Sequence, residues 1–194
     1  MYEQQLKTLV KENQGFITSK MVRQAGIHPQ YFSHFIKFEK LIKVASGIYH
    51  TQDAWEDFFF IFQQKKQMIY SHLTAAYLLG LIDRDPKQYH VTLPTGYNTS
   101  QVKHRLLKTF TIKREFFHVG LTDMPSPFGH RIQLYDAERT ICDLLRSRSK
   151  FDQALIIQAL KTYAKSSTRQ ISKLMKVAEL FGVAKLLRIY LEVL

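Results

Sequence analysis

The chain has 194 residues, of which 45% are hydrophobic, and its 28 Lys/Arg against 16 Asp/Glu give a formal net charge of +12 with His neutral. That length allows one large domain or two small ones, and the charge makes nucleic acid the first partner to consider and an anionic membrane surface the second. A single cysteine, Cys142, excludes an internal disulfide, and no Cys/His spacing suggests a zinc site.

The N-terminus lacks a basic region followed by an apolar core, so no signal peptide is expected. The most apolar run, Phe58 to Phe62, is far too short to cross a bilayer. The protein is therefore read as cytoplasmic, with no membrane partner.

Tyr2 to Gln14 patterns as a first helix, with Leu6, Leu9 and Val10 on one side and Asn13-Gln14-Gly15 ending it. Phe16-Ile17 reads as a short connector. Thr18 or Ser19 then caps a second helix through about Ala25, with Met21 and Val22 inward and Lys20 and Arg23 outward. Gly26 suits the left-handed residue that ends it, and Pro29 suits the first position of a third helix. His28 falls at the cap between them, where Ser, Thr, Asp or Asn is more usual, and is counted with the candidate DNA-binding residues.

In the run Gln30 to Lys40 two faces separate. Tyr31, Phe32, Phe35 and Ile36 repeat at helical spacing and require a core. Gln30, Ser33, His34 and Lys37 fall at i, i+3, i+4 and i+7 and share the other face. That face carries groups suited to base edges and phosphates and no carboxylate, Glu39 arriving only near the helix end. A solvated face on an ordinary amphipathic helix has the same pattern, so the neighbouring elements decide.

Leu41-Ile42-Lys43-Val44 alternates, Ala45-Ser46-Gly47 turns, and Ile48-Tyr49-His50 alternates again, which is a small hairpin. Helix, helix, turn, helix, hairpin within about fifty residues is the order of a winged helix-turn-helix, whose last helix lies in the major groove while the hairpin touches the flanking backbone. Lys43 and His50 are placed to reach phosphate, and Ser46 and Gly47 to approach it through backbone N–H groups. Lys20 and Arg23 are placed for backbone contact beside the groove. The same fold also serves in some chains for protein contacts alone.

Asp53 to Lys66 reads as a helix capped by Asp53, with Trp55, Phe58, Phe59 and Phe62 as a packing stripe. Ser71 caps a short helix through Leu79, closed by Gly80. The polar break Asp83-Arg84-Asp85-Pro86-Lys87 places a boundary between domains 1–82 and 83–194.

Ser71-His72-Leu73-Thr74-Ala75-Ala76-Tyr77-Leu78-Leu79-Gly80-Leu81, followed by Tyr89-His90-Val91-Thr92-Leu93-Pro94, resembles the AbiEi family, antitoxins of bacterial abortive-infection (phage-defence) type IV toxin–antitoxin systems. Leu134-Tyr135-Asp136-Ala137-Glu138-Arg139-Thr140-Ile141-Cys142-Asp143-Leu144-Leu145-Arg146 is similar to the family's helix-opening pattern of an acidic residue, Glu-Arg-Thr, then Asp-Leu-Leu. The resemblance covers nearly the whole chain. It implies an N-terminal winged helix that binds repeats upstream of its own operon and represses it. It also implies a C-terminal domain that counteracts a nucleotidyltransferase-like toxin without a stable complex.

In the second half Gln88 to Pro94 and Thr109 to Phe117 read as strands, and Arg131 to Leu134 as another. Helical segments near 136–148, 151–164, 168–181 and 184–193 follow, with Asp136 capping the first and Gly182 separating the last two. The expected fold is thus α+β: a winged helix-turn-helix followed by a mixed α/β domain ending in helices.

Residues 1–80 hold nine Lys/Arg and six Asp/Glu, residues 81–194 nineteen and ten, so the DNA-reading half is not the more basic one. The densest basic cluster, Lys103, His104, Arg105, Lys108, Lys113 and Arg114, reads as a phosphate-contacting supplement, as a patch for RNA or an acidic partner, or as a solvated edge. Arg146, Arg148 and Lys150 lie beside a helix C-terminus, where the macrodipole alone favours cations. Asp136, Glu138 and Asp143 suggest a carboxylate site, but capping by Asp136 and a salt bridge from Asp136 to Arg139 are simpler. No His-x-x-x-His helix or Gly-rich phosphate loop is present, so no enzyme, metal or cofactor is expected. The expected partner is double-stranded DNA, bound by a monomer or a weak cooperative assembly. The alternative is a protein- or RNA-interaction module whose basic C-terminal domain grips an acidic partner.

Overall fold

A computed structural model describes residues 2–64 and 67–193. The architecture is α+β with two sheets, and the chain forms two compact units, residues 1–66 with 125–132 and residues 67–124 with 133–194.

The first unit contains α1 (Tyr2–Glu12), β1 (Phe16–Thr18), α2 (Ser19–Gln24), α3 (Pro29–Phe38), β2 (Ile42–Ala45), β3 (Ile48–His50) and α4 (Phe58–Gln63). β3 is the centre of an antiparallel sheet ordered β1-β3-β2. Phe16-Ile17, expected as a connector, is therefore a strand that closes the hairpin into a sheet. Three residues are too few to show an alternation of their own, and their pairing is non-local.

Local chemistry sets the helix ends. α1 stops at Glu12 rather than Gln14, because Gln14 and Gly15 take φ of 45° and 87°. Thr18 Oγ1 accepts the Met21 N–H at 3.1 Å and starts α2. His28 does cap α3, its Nδ1 accepting the Gln30 N–H at 3.3 Å, and Pro29 opens the helix. α3 ends at Phe38, and Lys40 turns the chain at φ 53°.

Leu6, Ile17, Val22, Ile27, Phe32, Phe35 and Leu41 bury one another, and Phe16, Ile48, Phe60 and Ile61 form an adjoining cluster. Tyr31, expected in the core, is instead 51% exposed with its ring 4.7 Å from that of Tyr2.

The helix expected from Asp53 to Lys66 is shorter, and its proposed end lies outside the described residues. Asp57 is its cap, accepting the Phe60 N–H, whereas Asp53 sits in a turn with its carboxylate held by Thr51. The buried face is Phe59, Phe60 and Ile61, while Trp55 is 79% exposed.

The second unit contains β4 (Ile69–Tyr70), α5 (His72–Leu78), β5 (Tyr89–Pro94), β6 (Leu107–Ile112), β7 (Leu121–Pro125), β8 (Arg131–Tyr135), α6 (Ala137–Arg146), α7 (Gln153–Lys165), α8 (Ile171–Leu180) and α9 (Ala184–Val193), the ends of β7 and β8 running into segment 125–132. The strand order is β6-β5-β4-β8-β7; β4 is antiparallel to β5 and parallel to β8, and β5 is parallel to β6. β4 has two residues and stops before Ser71, and β7 reads Leu-Thr-Asp-Met-Pro without a clean alternation, which hid them in the sequence. The strand expected from Thr109 to Phe117 starts earlier and gives way to a 3-10 turn at Arg114–Phe116.

A boundary at 82/83 does not match these units: β4 and α5 lie before it, yet β4 pairs with β5 and β8. Ile141, Leu144 and Leu145 of α6 lie in one core with Ala76 of α5, Ile156 and Leu160 of α7, Leu174 and Ala178 of α8 and Leu187 of α9. Cys142 is buried in it, and burial pushes its thiol up to about 12. Among the described residues no helix is long and apolar enough to cross a membrane.

Candidate nucleic-acid interface

On α3 the amphipathic division places Phe32 and Phe35 in the core and leaves Gln30, Ser33, His34 and Lys37 all exposed. The Ser33 hydroxyl donates to Pro29 O at 3.1 Å, so toward a ligand it offers only acceptor lone pairs. His34 also borders a groove of about 270 Å³ shared by α1 and α3, with Tyr31 and Phe38 on its rim. Glu39, the one carboxylate near the end of α3, is tied 3.2 Å from Lys7 Nζ. Lys7 also meets Glu3, and these hydrogen bonds to Glu3 and Glu39 raise its pKa. The outward face of α3 itself therefore carries donors, acceptors and one cation, and the one carboxylate beside it, Glu3 of α1, borders the groove with His34 and is paired with Lys7.

A second surface joins the start of α2 to the hairpin. Ser19 N donates to Gly47 O at 2.9 Å, and a Cβ on Gly47, whose φ is 71°, would come 3.0 Å from Ser19 Oγ. Glycine suits that conformation, and the approach to Ser19 leaves little room for a Cβ. The result is a concavity of about 290 Å³ whose rim includes exposed Lys20, Arg23 and Ser46, with Gln64 beside them and, among the described residues, no acidic one. Lys43 is exposed on β2.

His50 is placed differently from its expected role at phosphate. It is 4% exposed, its Nδ1 lies 2.6 Å from Thr51 O, and its ring stacks on Phe16 at 5.3 Å. β3 is the central strand of its sheet and its alternation points inward at Ile48 and His50, so His50 is a packing residue. His28, as a cap, also spends its Nδ1 on the helix it starts.

The six basic residues of the second unit do not form one patch. Lys103, His104 and Arg105 are exposed around a hollow of about 430 Å³ before β6. There His104 Nδ1 accepts the Leu106 N–H and shapes the loop. Lys113 and Arg114 follow the other end of β6; Lys113 lies 3.8 Å from Glu115, and Arg114 donates to Thr95 O. Lys108 lies between, on the face of the strand that also carries Phe110.

The carboxylates of α6 hold structure. Asp136 accepts the Arg139 N–H at 2.8 Å, as a cap should, but the expected salt bridge to the Arg139 side chain is absent because that guanidinium turns inward. Its Nε meets Asp143 at 3.0 Å, Nη1 donates to Phe116 O and Val119 O, and the group is sandwiched by Tyr135 and Phe181. Asp136 and Glu138 instead share Lys173, at 2.9 and 3.2 Å.

One constellation escaped sequence reading. Asp57 accepts hydrogen bonds from the Ser126 hydroxyl and from His130 Nδ1 at 2.8 Å, while His130 Nε2 lies 3.1 Å from Asn13 O. The Ser126 hydroxyl bonds the carboxylate rather than the ring, so the trio is not ordered as nucleophile and base. It fastens segment 125–132 within the first unit. Residues this far apart in sequence, without a spacing rule, leave no local signal.

Residues 4–50 match the family described as "Transcriptional regulator, AbiEi antitoxin", so the resemblance to that family is borne out over the segment carrying α1 to β3. A search among curated proteins finds no match. Among solved structures, the crystal structure of the RV2827C protein from Mycobacterium tuberculosis is similar with a TM-score of 0.55 at 14% identity, over 96% of this chain and 78% of that one. At that identity the likeness is one of fold.

Proposed function

We propose that the chain is a sequence-specific DNA-binding regulator that also serves as the antitoxin of a toxin–antitoxin pair, and that its first unit works as a winged helix-turn-helix. The observation that carries this reading is the outward face of α3, where Gln30, Ser33, His34 and Lys37 stand exposed with no carboxylate of the helix among them, within a segment that matches a family of antitoxin regulators. In this reading α3 enters the major groove, where Gln30 reads a base edge and Lys37 meets phosphate. Lys20, Arg23 and Ser46 hold the flanking backbone, and Lys43 adds charge from the hairpin. His34 adds a contact at the edge of the same face.

The operator belongs to the chain's own upstream region, the regulator acts as a cytoplasmic, non-enzymatic autorepressor, and the second unit opposes a nucleotidyltransferase-like toxin. These finer statements rest on the family resemblance.

Fluorescence anisotropy tests the DNA reading. The full chain is titrated against a duplex from upstream of its own gene and against a scrambled duplex, at two salt concentrations. Tighter binding to the native duplex that persists at the higher salt is expected. Equal, salt-sensitive binding to both would favour the alternative of a basic module for RNA or an acidic protein.

A further inference from the structure

Two basic segments that are remote in sequence meet over one aromatic cluster of the second unit. Lys108 Nζ, from β6, lies 5.9 Å from the centre of the Phe110 ring and 5.6 Å from that of Phe151. Lys150 Nζ, from the turn after α6, lies 5.4 Å from the same Phe110 ring. Two ammonium groups over one ring repel each other, and among the described residues neither pairs with a carboxylate. Each cation–π contact is favourable alone, but their convergence is the arrangement of a site that awaits an anion.

Beneath the rings lie two buried histidines. His72 stacks on Phe110 at 3.8 Å and spends both nitrogens, on Ser71 Oγ at 2.9 Å and Ser147 Oγ at 3.2 Å. It takes φ of 51°, a left-handed backbone uncommon outside glycine, and strain of this kind gathers at binding sites. His90 is 5% exposed and stacks on Phe151 at 5.4 Å, and its Nδ1 has no hydrogen-bond partner. A buried polar atom without a protein partner is a point at which a bound group can form a hydrogen bond. Burial keeps both rings neutral: His90 is lowered to about 4, with Lys108 adding to the effect, and His72 well below its ordinary value. The histidines therefore add polarity and no charge, and the positive charge stays with the lysines.

β6 is an edge strand of the sheet, so this face opens at its margin. Lys150 is exposed, and Lys108, Phe110 and Phe151 are half-buried. Cations beside aromatic faces suit a ligand with a phosphate and a flat ring. We propose that Lys108, Lys150, Phe110 and Phe151, supported by His72 and His90, form a binding site for a nucleotide phosphate, offered either by a free nucleoside triphosphate or by a single-stranded RNA. The proposal does not depend on DNA binding by the first unit.

The test uses the full chain and two probes, GTP by calorimetry and a fluorescein-labelled single-stranded RNA by anisotropy. Lys108→Gln and Lys150→Gln should each weaken the probe that binds by about tenfold. Lys185→Gln, exposed on α9 and outside both basic segments, should leave it unchanged. Phe151→Leu, which keeps the bulk but removes the ring, should weaken binding in the same direction. Native circular dichroism and unchanged melting of the Lys→Gln variants exclude a folding defect. Binding of GTP assigns the site to a free nucleotide, and binding of RNA alone assigns it to a strand. No binding of either probe, or equal weakening by Lys185→Gln, overturns the proposal.

Discussion

Arg139 is a charge that the fold has taken fully out of water, with Asp143 as its counterion and two backbone carbonyls as further acceptors. Such a pair stabilises little against an apolar replacement of both partners, but losing one partner strands the other. Arg139→Met should therefore lower unfolding stability by about 3–5 kcal/mol in urea titrations, and Arg139→Met with Asp143→Leu should recover part of it. Gly120 belongs to the same locus, since a Cβ there would come 2.5 Å from Arg139 Cβ at a φ of 73°. His90 gives a pH dependence. Its folded pKa, lowered by burial and then by Lys108, is about 4 against an ordinary 6.5, so the unfolded chain binds the proton more readily. The stabilisation is complete above about pH 6.5 and is lost as pH falls toward about 4, amounting to about 3 kcal/mol, with His72 acting in the same sense. The denaturation midpoint should fall across that window in the native chain and fall less in His90→Gln. On α3 the residues separate by chemistry. Lys37→Ala should weaken all duplexes alike and reduce the slope of log affinity against log salt by about 1, whereas Gln30→Ala should mainly relax sequence preference. An unchanged native-to-scrambled ratio in Gln30→Ala would falsify the orientation assigned to the helix.

Elements differ in how openly the sequence declares them. α3 was legible because its cap, its Pro29 start and its two faces all lie within ten residues, and each obeys a local rule. The hairpin β2–β3 was legible for the same reason, having one turn at Ser46-Gly47. β1 and β4 were not, since three and two residues carry no period and acquire their state only from remote partners. α4 was misplaced because Asp53 and Asp57 both satisfy the capping rule, and only Asp57 meets Ser126 and His130. The candidate interface followed the same division: the exposed face of α3 was readable, but the burial of His50 and the placing of Lys108 and Lys150 at one ring, Phe110, were set by tertiary packing. The cap on α4 carries a prediction at this scale. Asp57→Ala removes a helix cap and strands Ser126 and His130 among Phe16 and Phe60, so a loss of about 3 kcal/mol or more is expected. Asp57→Asn, which keeps an acceptor, should lose less. Proteolysis that nicks segment 125–132 faster in Asp57→Ala than in the native chain would locate the loss there.

For the whole molecule the decisive fact is that the first unit is not contiguous. Its residues 125–132 arrive after most of the second sheet has been made, and they complete the surroundings of Phe16 and Phe60 by stacking His130 on Phe60 at 4.5 Å. Charge divides along the same lines: the first unit holds ten Lys/Arg and six Asp/Glu, the second eighteen and ten. A DNA-binding fragment chosen from sequence alone, residues 1–82, thus lacks part of its own core and carries strand β4 and helix α5 without their sheet. Such a fragment leaves the Asp57 carboxylate buried or half-buried without its histidine, a loss of about 2–5 kcal/mol against a unit of marginal size. It is expected to melt well below the full chain and to bind the upstream duplex weakly, even though every residue of α3 is present. A fragment of residues 1–64 joined by a flexible linker to 125–132 should regain both stability and affinity, because it restores the Asp57–His130 pair with little else added. Circular dichroism melts of the two fragments, followed by anisotropy on the same duplex, decide the matter. Equal melting temperatures would show that segment 125–132 is a passenger. Recovery in the linked fragment would show that a stretch of chain interrupting the second unit is needed for the first to hold α3 in place.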